Sequence, residues 1–139
     1  MKYDFMFIDT PPLLNDLTLC ALFAAHSVII PLQCSFYAFN AVNRLLDMIQ
    51  RIRNSGNPGL NILGILLNFY EKQTKASQRG ASEAHIKYDE MILKTVIPKN
   101  TTITYATFER KPTVLVDITA AGSVAFLQLT DELLQKISE

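Results

Sequence analysis

The stretch Tyr3-Asp4-Phe5-Met6-Phe7-Ile8-Asp9-Thr10-Pro11-Pro12 decides how this chain is read. Apolar residues run unbroken from Phe5 to Ile8, with Tyr3 before them, and the run ends at a carboxylate followed by two prolines. Such a run fits a strand buried on both faces, as in a parallel sheet, where neither side meets water and apolar-polar alternation disappears. The prolines stop it, because neither has an N–H to give to a ladder. An Asp at the carboxyl end of a central parallel strand stands at the crevice where open α/β sheets bind ligands. In nucleotide hydrolases an Asp so placed orders a magnesium ion. The plainer reading is an Asp that only begins a turn.

Working outward, the chain alternates strand and helix signals. Leu13 to Ala25 carries Leu13, Leu14, Leu17, Leu19, Leu22 and Phe23, and Asn15 or Asp16 can cap a short helix there. Ser27 to Leu32 reads as a second buried strand, closed by Pro31. From Ala38, apolar residues fall at Val42, Leu45, Leu46, Ile49 and Ile52, opposite Arg44, Asp47, Gln50, Arg51 and Arg53. That is an amphipathic helix, ended by Ser55-Gly56-Asn57-Pro58-Gly59. Ile62 to Asn68 is a third strand. Lys72 to Gly80 is polar and basic, and leads into a helix with Ala84, Ile86 and Tyr88 facing inward. Ile92 to Ile97, ended by Pro98, is the fourth strand, and Ala120 to Ile137 is a last helix with Phe126, Leu129, Leu133 and Ile137 on one side. This alternation predicts an α/β fold, a mostly parallel sheet flanked by helices.

With 139 residues the chain is expected to form a single domain over 1–139. Apolar residues make up 49% and charged residues 19%, so it can build a core and is not of the disordered class. Thirteen Lys and Arg balance thirteen Asp and Glu, and no global field draws the chain to nucleic acid or membrane. Locally the balance shifts: residues 71–111 hold eight basic against five acidic side chains, and residues 112–139 hold one against four. Cys20 and Cys34 lack any C-x-x-C partner, so buried, reduced thiols are expected rather than a zinc site or a disulfide framework. Apolar stretches fall short of the roughly twenty residues that span a bilayer, and Asp4 and Asp9 interrupt any signal-peptide pattern. A cytoplasmic protein without a membrane partner is expected.

Three further stretches follow the Asp-Thr-Pro-Pro element in order: Ser27-Val28-Ile29-Ile30-Pro31-Leu32-Gln33-Cys34-Ser35-Phe36-Tyr37-Ala38, then Ile65-Leu66-Leu67-Asn68-Phe69-Tyr70, then Thr95-Val96-Ile97-Pro98-Lys99-Asn100. The succession resembles the ParA branch of the ParA/MinD partition ATPases, over nearly the whole chain. The resemblance implies a P-loop NTPase-like fold, with ATP and Mg2+ as cofactors of the complete family member. Asp9 would hold the metal and serve the reaction. Thr10 and Pro11, with Pro12, would belong to the switch that senses the γ-phosphate. Asn68, Pro98 and Asn100 would line the adenine pocket, against the plainer reading that Asn68 bonds its own loop and Asn100 is a turn residue. The resemblance further implies a homodimer, a ParB-like adaptor and nonspecific DNA contact through Lys72, Lys75, Arg79, Lys99, Arg110 and Lys111. A solvated charged surface is the plain alternative for those six. Gln73 and Lys99 stand where relatives commonly have Arg.

The family's glycine-rich phosphate loop belongs before the Asp-Thr-Pro-Pro strand, where only Met1 and Lys2 stand, and none of the five glycines completes a G-x-x-x-x-G-K-[ST] pattern. The chain is therefore expected to correspond to the carboxy-terminal part of such an ATPase, incomplete on its amino-terminal side and inactive by itself. Where relatives usually show Ser-Glu-Ala-Pro-Ser-x-Gly-Lys-Pro, this chain has Thr104-Tyr105-Ala106-Thr107-Phe108-Glu109-Arg110-Lys111-Pro112, and Leu13, Asn15 and Cys20 also depart from the family near the switch. A second reading, from a different class, is a non-catalytic interaction module or remnant that associates with a full-length ATPase or with a fragment carrying the loop. In the family the loop's strand lies between the Asp9-type strand and the one matching Ser27 to Leu32. A buried slot there would leave unpaired groups at about 1–3 kcal/mol each. Phe5 to Ile8 is therefore expected either to pair directly with Val28 to Ile30 or to face a gap filled by another chain.

Overall fold

The computed structural model describes residues 2–11, 15–34 and 38–138, and its core is carried by a three-stranded parallel sheet. The chain enters through α1 (Asp16–Ala24), whose first turn is capped by Asn15: its Oδ1 accepts from the Thr18 N–H at 3.1 Å. Then come β1 (Ser27–Gln33), α2 (Ala38–Ser55), β2 (Asn61–Tyr70), α3 (Lys75–Tyr88), a 3-10 turn (Asp89–Met91) and β3 (Ile92–Pro98). Three helices close the chain: α4 (Thr101–Glu109), α5 (Thr113–Val116) and α6 (Ala121–Ser138).

β2 is the middle strand and pairs in parallel with both neighbours. Its run Leu63-Gly64-Ile65-Leu66-Leu67 is buried throughout, the consequence of helices on both faces. Side-chain alternation divides the core into two layers. Ile30, Leu32, Ile65 and Leu67 meet Phe39, Val42, Ile49 and Ile52 of α2 and Ala84 and Tyr88 of α3. Leu66, Leu93 and Ile97 face the other way, onto Ala125 and Leu129 of α6. Ile49 is wholly buried, so truncating it to Ala costs about 2–5 kcal/mol, transfer and cavity terms together. The Ser55–Gly59 breaker does more than end α2. Asn57 Nδ2 donates to the carbonyls of Leu22 at 3.0 Å and Ala25 at 2.8 Å, satisfying acceptors that the end of α1 leaves open.

Several expectations are corrected. Phe5 to Ile8 forms no strand and is not buried: the four side chains are 51%, 88%, 83% and 50% exposed, and no ladder joins them to β1. An apolar run specifies a strand only where a neighbouring strand takes its N–H and C=O groups. The direct pairing with Val28 to Ile30 is absent. Pro31 does not close β1, which continues to Gln33; as an edge strand it tolerates a residue without an N–H. Ile86 is 84% exposed, because the inward face of α3 is carried by Ser77, Gly80, Ala81, Ala84 and Tyr88. Phe126 and Ile137 of α6 are exposed while Leu129 is buried, and Cys20 is exposed while Cys34 is buried. Thr104 to Glu109, where no helix is expected from the sequence, is helical. Pro12, Leu13 and Leu14, and Ser35 to Tyr37, lie outside the described residues. Among the described residues no helix is long and apolar enough to cross a membrane.

Candidate functional site

Parallel strands deliver their carboxyl ends to one edge, and that is where three of the sequence-derived residues come together. Tyr70 at the end of β2 stands opposite Pro98 at the end of β3, and the Lys99 N–H donates to the Tyr70 carbonyl at 3.0 Å. The Lys99 ammonium also pairs with the Glu71 carboxylate, tying the two strand ends by side chain as well as backbone. Asn68, Pro98 and Asn100 therefore share one edge of two adjacent strands.

Their polar atoms are partly committed. Asn68 Oδ1 accepts from the Phe69 N–H at 2.8 Å, holding Phe69 in the left-handed region at φ 53, an unusual conformation for a bulky side chain. Asn100 Oδ1 caps α4, accepting from the Thr102 N–H at 2.9 Å. With both oxygens engaged, each carboxamide can offer a ligand its N–H2 end, a donor suited to an acceptor nitrogen of a purine edge. The donor set fits the base end of a nucleotide. It does not by itself provide a cradle for phosphates, and among the described residues no group of three or more His, Cys, Asp or Glu is placed to hold a metal ion.

The basic residues divide. Lys99 pairs with Glu71, Arg79 with Glu83 at 3.0 Å across one helical turn, and Lys111 with Glu109 at 3.9 Å. Lys72, Lys75 and Arg110 enter none of these ion pairs among the described residues. Lys72 lies in the turn before α3, where its carbonyl accepts from Gln78 Nε2 at 2.8 Å, and Lys75 opens the helix. Exposed pairs of this kind contribute little to stability, about 0–1 kcal/mol, but they halve the number of free cations in the set. Asp9, Thr10 and Pro11 are exposed in an irregular segment, and no strand presents them at the sheet edge.

Two members of this edge escaped the sequence reading. Glu71 is one, since nothing in a carboxylate next to a strand end announces a lysine 28 positions away. Phe69 is the other, because its backbone conformation is set by the Asn68 side chain rather than by its own residue type. A separate open cleft, lined by Gln50, Arg53, Asn54 and Asn61, lies at the amino end of β2. Its guanidinium is already used, with Arg53 Nε donating to the Leu60 carbonyl at 2.7 Å.

Comparison with known proteins gives the chain's relatives. Residues 1–62 match a family described as an AAA domain. Over 134 residues the chain is 37% identical to the chromosome partitioning protein ParA of Caulobacter vibrioides, covering 96% of this chain and 50% of that protein. Its fold is similar to cobyrinic acid a,c-diamide synthase of Mycobacterium smegmatis with bound ADP and magnesium, at TM-score 0.74 and 30% identity, over 94% of this chain and 46% of that one. It is also similar to the septum site-determining protein MinD of Pyrococcus horikoshii complexed with Mg-ADP, at TM-score 0.75 over 99% of this chain and 51% of that one; at 23% identity this likeness shows the fold alone. The chain spans about half the length of the curated relatives it matches.

Proposed function

The chain belongs to the ParA/MinD family of P-loop ATPases, and from that premise we propose that it supplies the nucleoside-binding half of an ATP-hydrolysing protein of chromosome or plasmid partitioning. The observation that carries this reading is the convergence of Asn68, Pro98 and Asn100 on one sheet edge, locked by the Lys99 N–H on the Tyr70 carbonyl. Asn68 and Asn100 orient the base through their amide N–H2 groups, and Pro98 sets the floor of the edge. Asp9, with Thr10 and Pro11 beside it, would hold a magnesium ion through its carboxylate once residues 3–11 are packed against further polypeptide. ATP with magnesium would supply the phosphoryl group that water attacks, and catalysis would rest on positioning and charge rather than on covalent chemistry.

The proposed complete protein is a cytoplasmic, ATP-dependent dimer that works with a ParB-like adaptor. Its DNA contact is nonspecific, through Lys72, Lys75 and Arg110 first, and through Lys99, Arg79 and Lys111 only where their acidic partners yield. One observation also favours the second reading, an interaction module. The exposed Phe5 to Ile8 segment presents four large apolar side chains in succession, more than a solvated linker needs and suited to burial against another chain.

The test is ATP binding by calorimetry, with and without an added fragment that carries a glycine-rich phosphate loop, together with DNA binding at low salt. Restored ATP binding supports the nucleotide reading, and a Lys72→Ala, Lys75→Ala double variant should weaken DNA binding uniformly across sequences. Undetectable ATP binding in both mixtures, with no DNA retention at low salt, would remove both assignments.

A further inference from the structure

Two successive backbone donors of β3 are taken by a single side chain. Glu132 Oε1 accepts from the Lys94 N–H at 2.7 Å and Glu132 Oε2 accepts from the Thr95 N–H at 2.8 Å. Two successive backbone donors on one carboxylate is not strand geometry, and the register explains it. Between the pairs Ile65↔Ile92 and Leu67↔Val96, β3 advances two residues further than β2, so β3 bulges over this interval. The bulge turns donors away from the ladder that β2 provides.

α6 places the acceptor there. Leu129, one turn before Glu132, is buried against Leu66, Leu93 and Ile97, and Leu133 packs on the same cluster. That packing fixes the helix along β3 and leaves Glu132 at its rim, within reach of the strand. The two sheet edges are thus handled differently. β1 contains Pro31, which has no N–H to offer, and β3 has its donors taken by Glu132.

We propose that Glu132 is an edge guard, whose carboxylate closes β3 to the addition of a β-strand from a second copy of this chain. An unpaired edge is a template for another strand, and inward-turned charge and bulges are the means by which sheets avoid it. The competing strand is a second β3, because β3 is an end strand of the sheet and two copies of one edge laid antiparallel are self-complementary, each offering carbonyls to the other's N–H groups. Removing the carboxylate leaves the Lys94 and Thr95 N–H groups to find an acceptor elsewhere. The carbonyls of another strand supply it.

The experiment uses Glu132→Ala and Glu132→Gln in the full chain. Sedimentation velocity over a concentration series is combined with residue-resolved amide hydrogen exchange. In the parent chain the Lys94 and Thr95 amides are protected independently of concentration. Folded Glu132→Ala is expected to associate as concentration rises, with these two amides exchanging freely when dilute and protected when associated. Glu132→Gln keeps one acceptor and nearly the same shape, so it folds even if the Ala variant does not. At least one of the two amides should then exchange about tenfold faster, as loss of one charge-assisted bond implies. Three results overturn the proposal: a folded Ala variant that stays at the parent's mass at every concentration, association that protects β1 amides instead, or unchanged exchange of both amides in Glu132→Gln.

Discussion

Gly80 of α3 lies so close to Cys34 at the end of β1 that a Cβ built on it would stand 2.8 Å from the Cys34 carbonyl oxygen and 2.9 Å from its carbonyl carbon. The obstacle is backbone, which cannot swing aside as a side chain could. In a solvent-facing helix, Gly→Ala gains about 1 kcal/mol from propensity. Here the clash should reverse the sign, with Gly80→Ala lowering stability by about 1–3 kcal/mol. Urea unfolding followed by circular dichroism reads this directly, and an unchanged or raised midpoint would show that α3 can move away from β1.

Arg110 closes α4 in the left-handed region at φ 52, with its N–H on the Thr107 carbonyl at 3.2 Å and the Lys111 N–H on the Ala106 carbonyl at 3.1 Å. This is the backbone of a helix stop that glycine adopts without penalty. Arg110→Gly should therefore stabilise the chain by about 1 kcal/mol, the cost of holding an L side chain in that region. Arg110→Ala retains the Cβ and should bring no such gain. Thermal melting of the two variants side by side separates the backbone effect from loss of the charge.

How far the fold could be read from sequence depended on whether a segment's environment lay in its own residues. β1, β2 and β3 were legible because an apolar run of five to seven residues between helical patterns has few other uses. Phe5 to Ile8 has the same appearance and a different fate. Its missing property, a partner strand, is not written in it. α4 was missed for the opposite reason: Thr101, Thr102, Thr104 and Thr107 are poor helix formers, and the helix rests on the Asn100 cap and on Ile103 packing beside Gly122, where a Cβ would meet Ile103 Cγ1 at 2.6 Å. At the site, the meeting of Asn68 with Pro98 and Asn100 followed from parallel topology alone. The commitment of both carboxamide oxygens to backbone N–H groups did not, because it depends on the local turn after each strand.

Two carboxyls should make the fold sensitive to acid. Burial pushes the Glu132 carboxyl up, but bonds from the Thr95 hydroxyl and from the Lys94 and Thr95 N–H groups, with the Lys136 charge, outweigh it and hold it below the ordinary range. At Asp117 the hydroxyl and N–H of Thr119 lower it, and the Ala120 N–H adds to them against a small desolvation. Both groups bind protons less readily folded than unfolded. Their stabilisation is thus complete above the unfolded carboxylate range of about pH 4 to 4.5 and is lost as pH falls through the lower folded values. Urea midpoints should be flat from neutral pH to about pH 5 and fall below it. Glu132→Gln should start lower and fall less steeply, because its side chain no longer titrates. A variant as acid-sensitive as the parent would assign the slope to other groups.

Phosphoryl transfer to water is accelerated by cations placed around the γ-phosphate, above all the lysine of a glycine-rich loop and a magnesium ion. No G-x-x-x-x-G-K-[ST] pattern occurs in these 139 residues, and Asp9, the residue proposed to hold the metal, is exposed in a segment without a strand partner. Neither element of the charge is positioned. The purified chain should therefore hydrolyse ATP no faster than a buffer blank with magnesium, at any concentration of nucleotide. Because a contaminating ATPase can mimic weak activity, the same preparation is made with Asp9→Ala. Background turnover will be equal in both. Activity present in the parent chain and absent from the variant would mean that the chain completes a catalytic site from its own residues, and the proposed division of labour with a loop-bearing segment would fall.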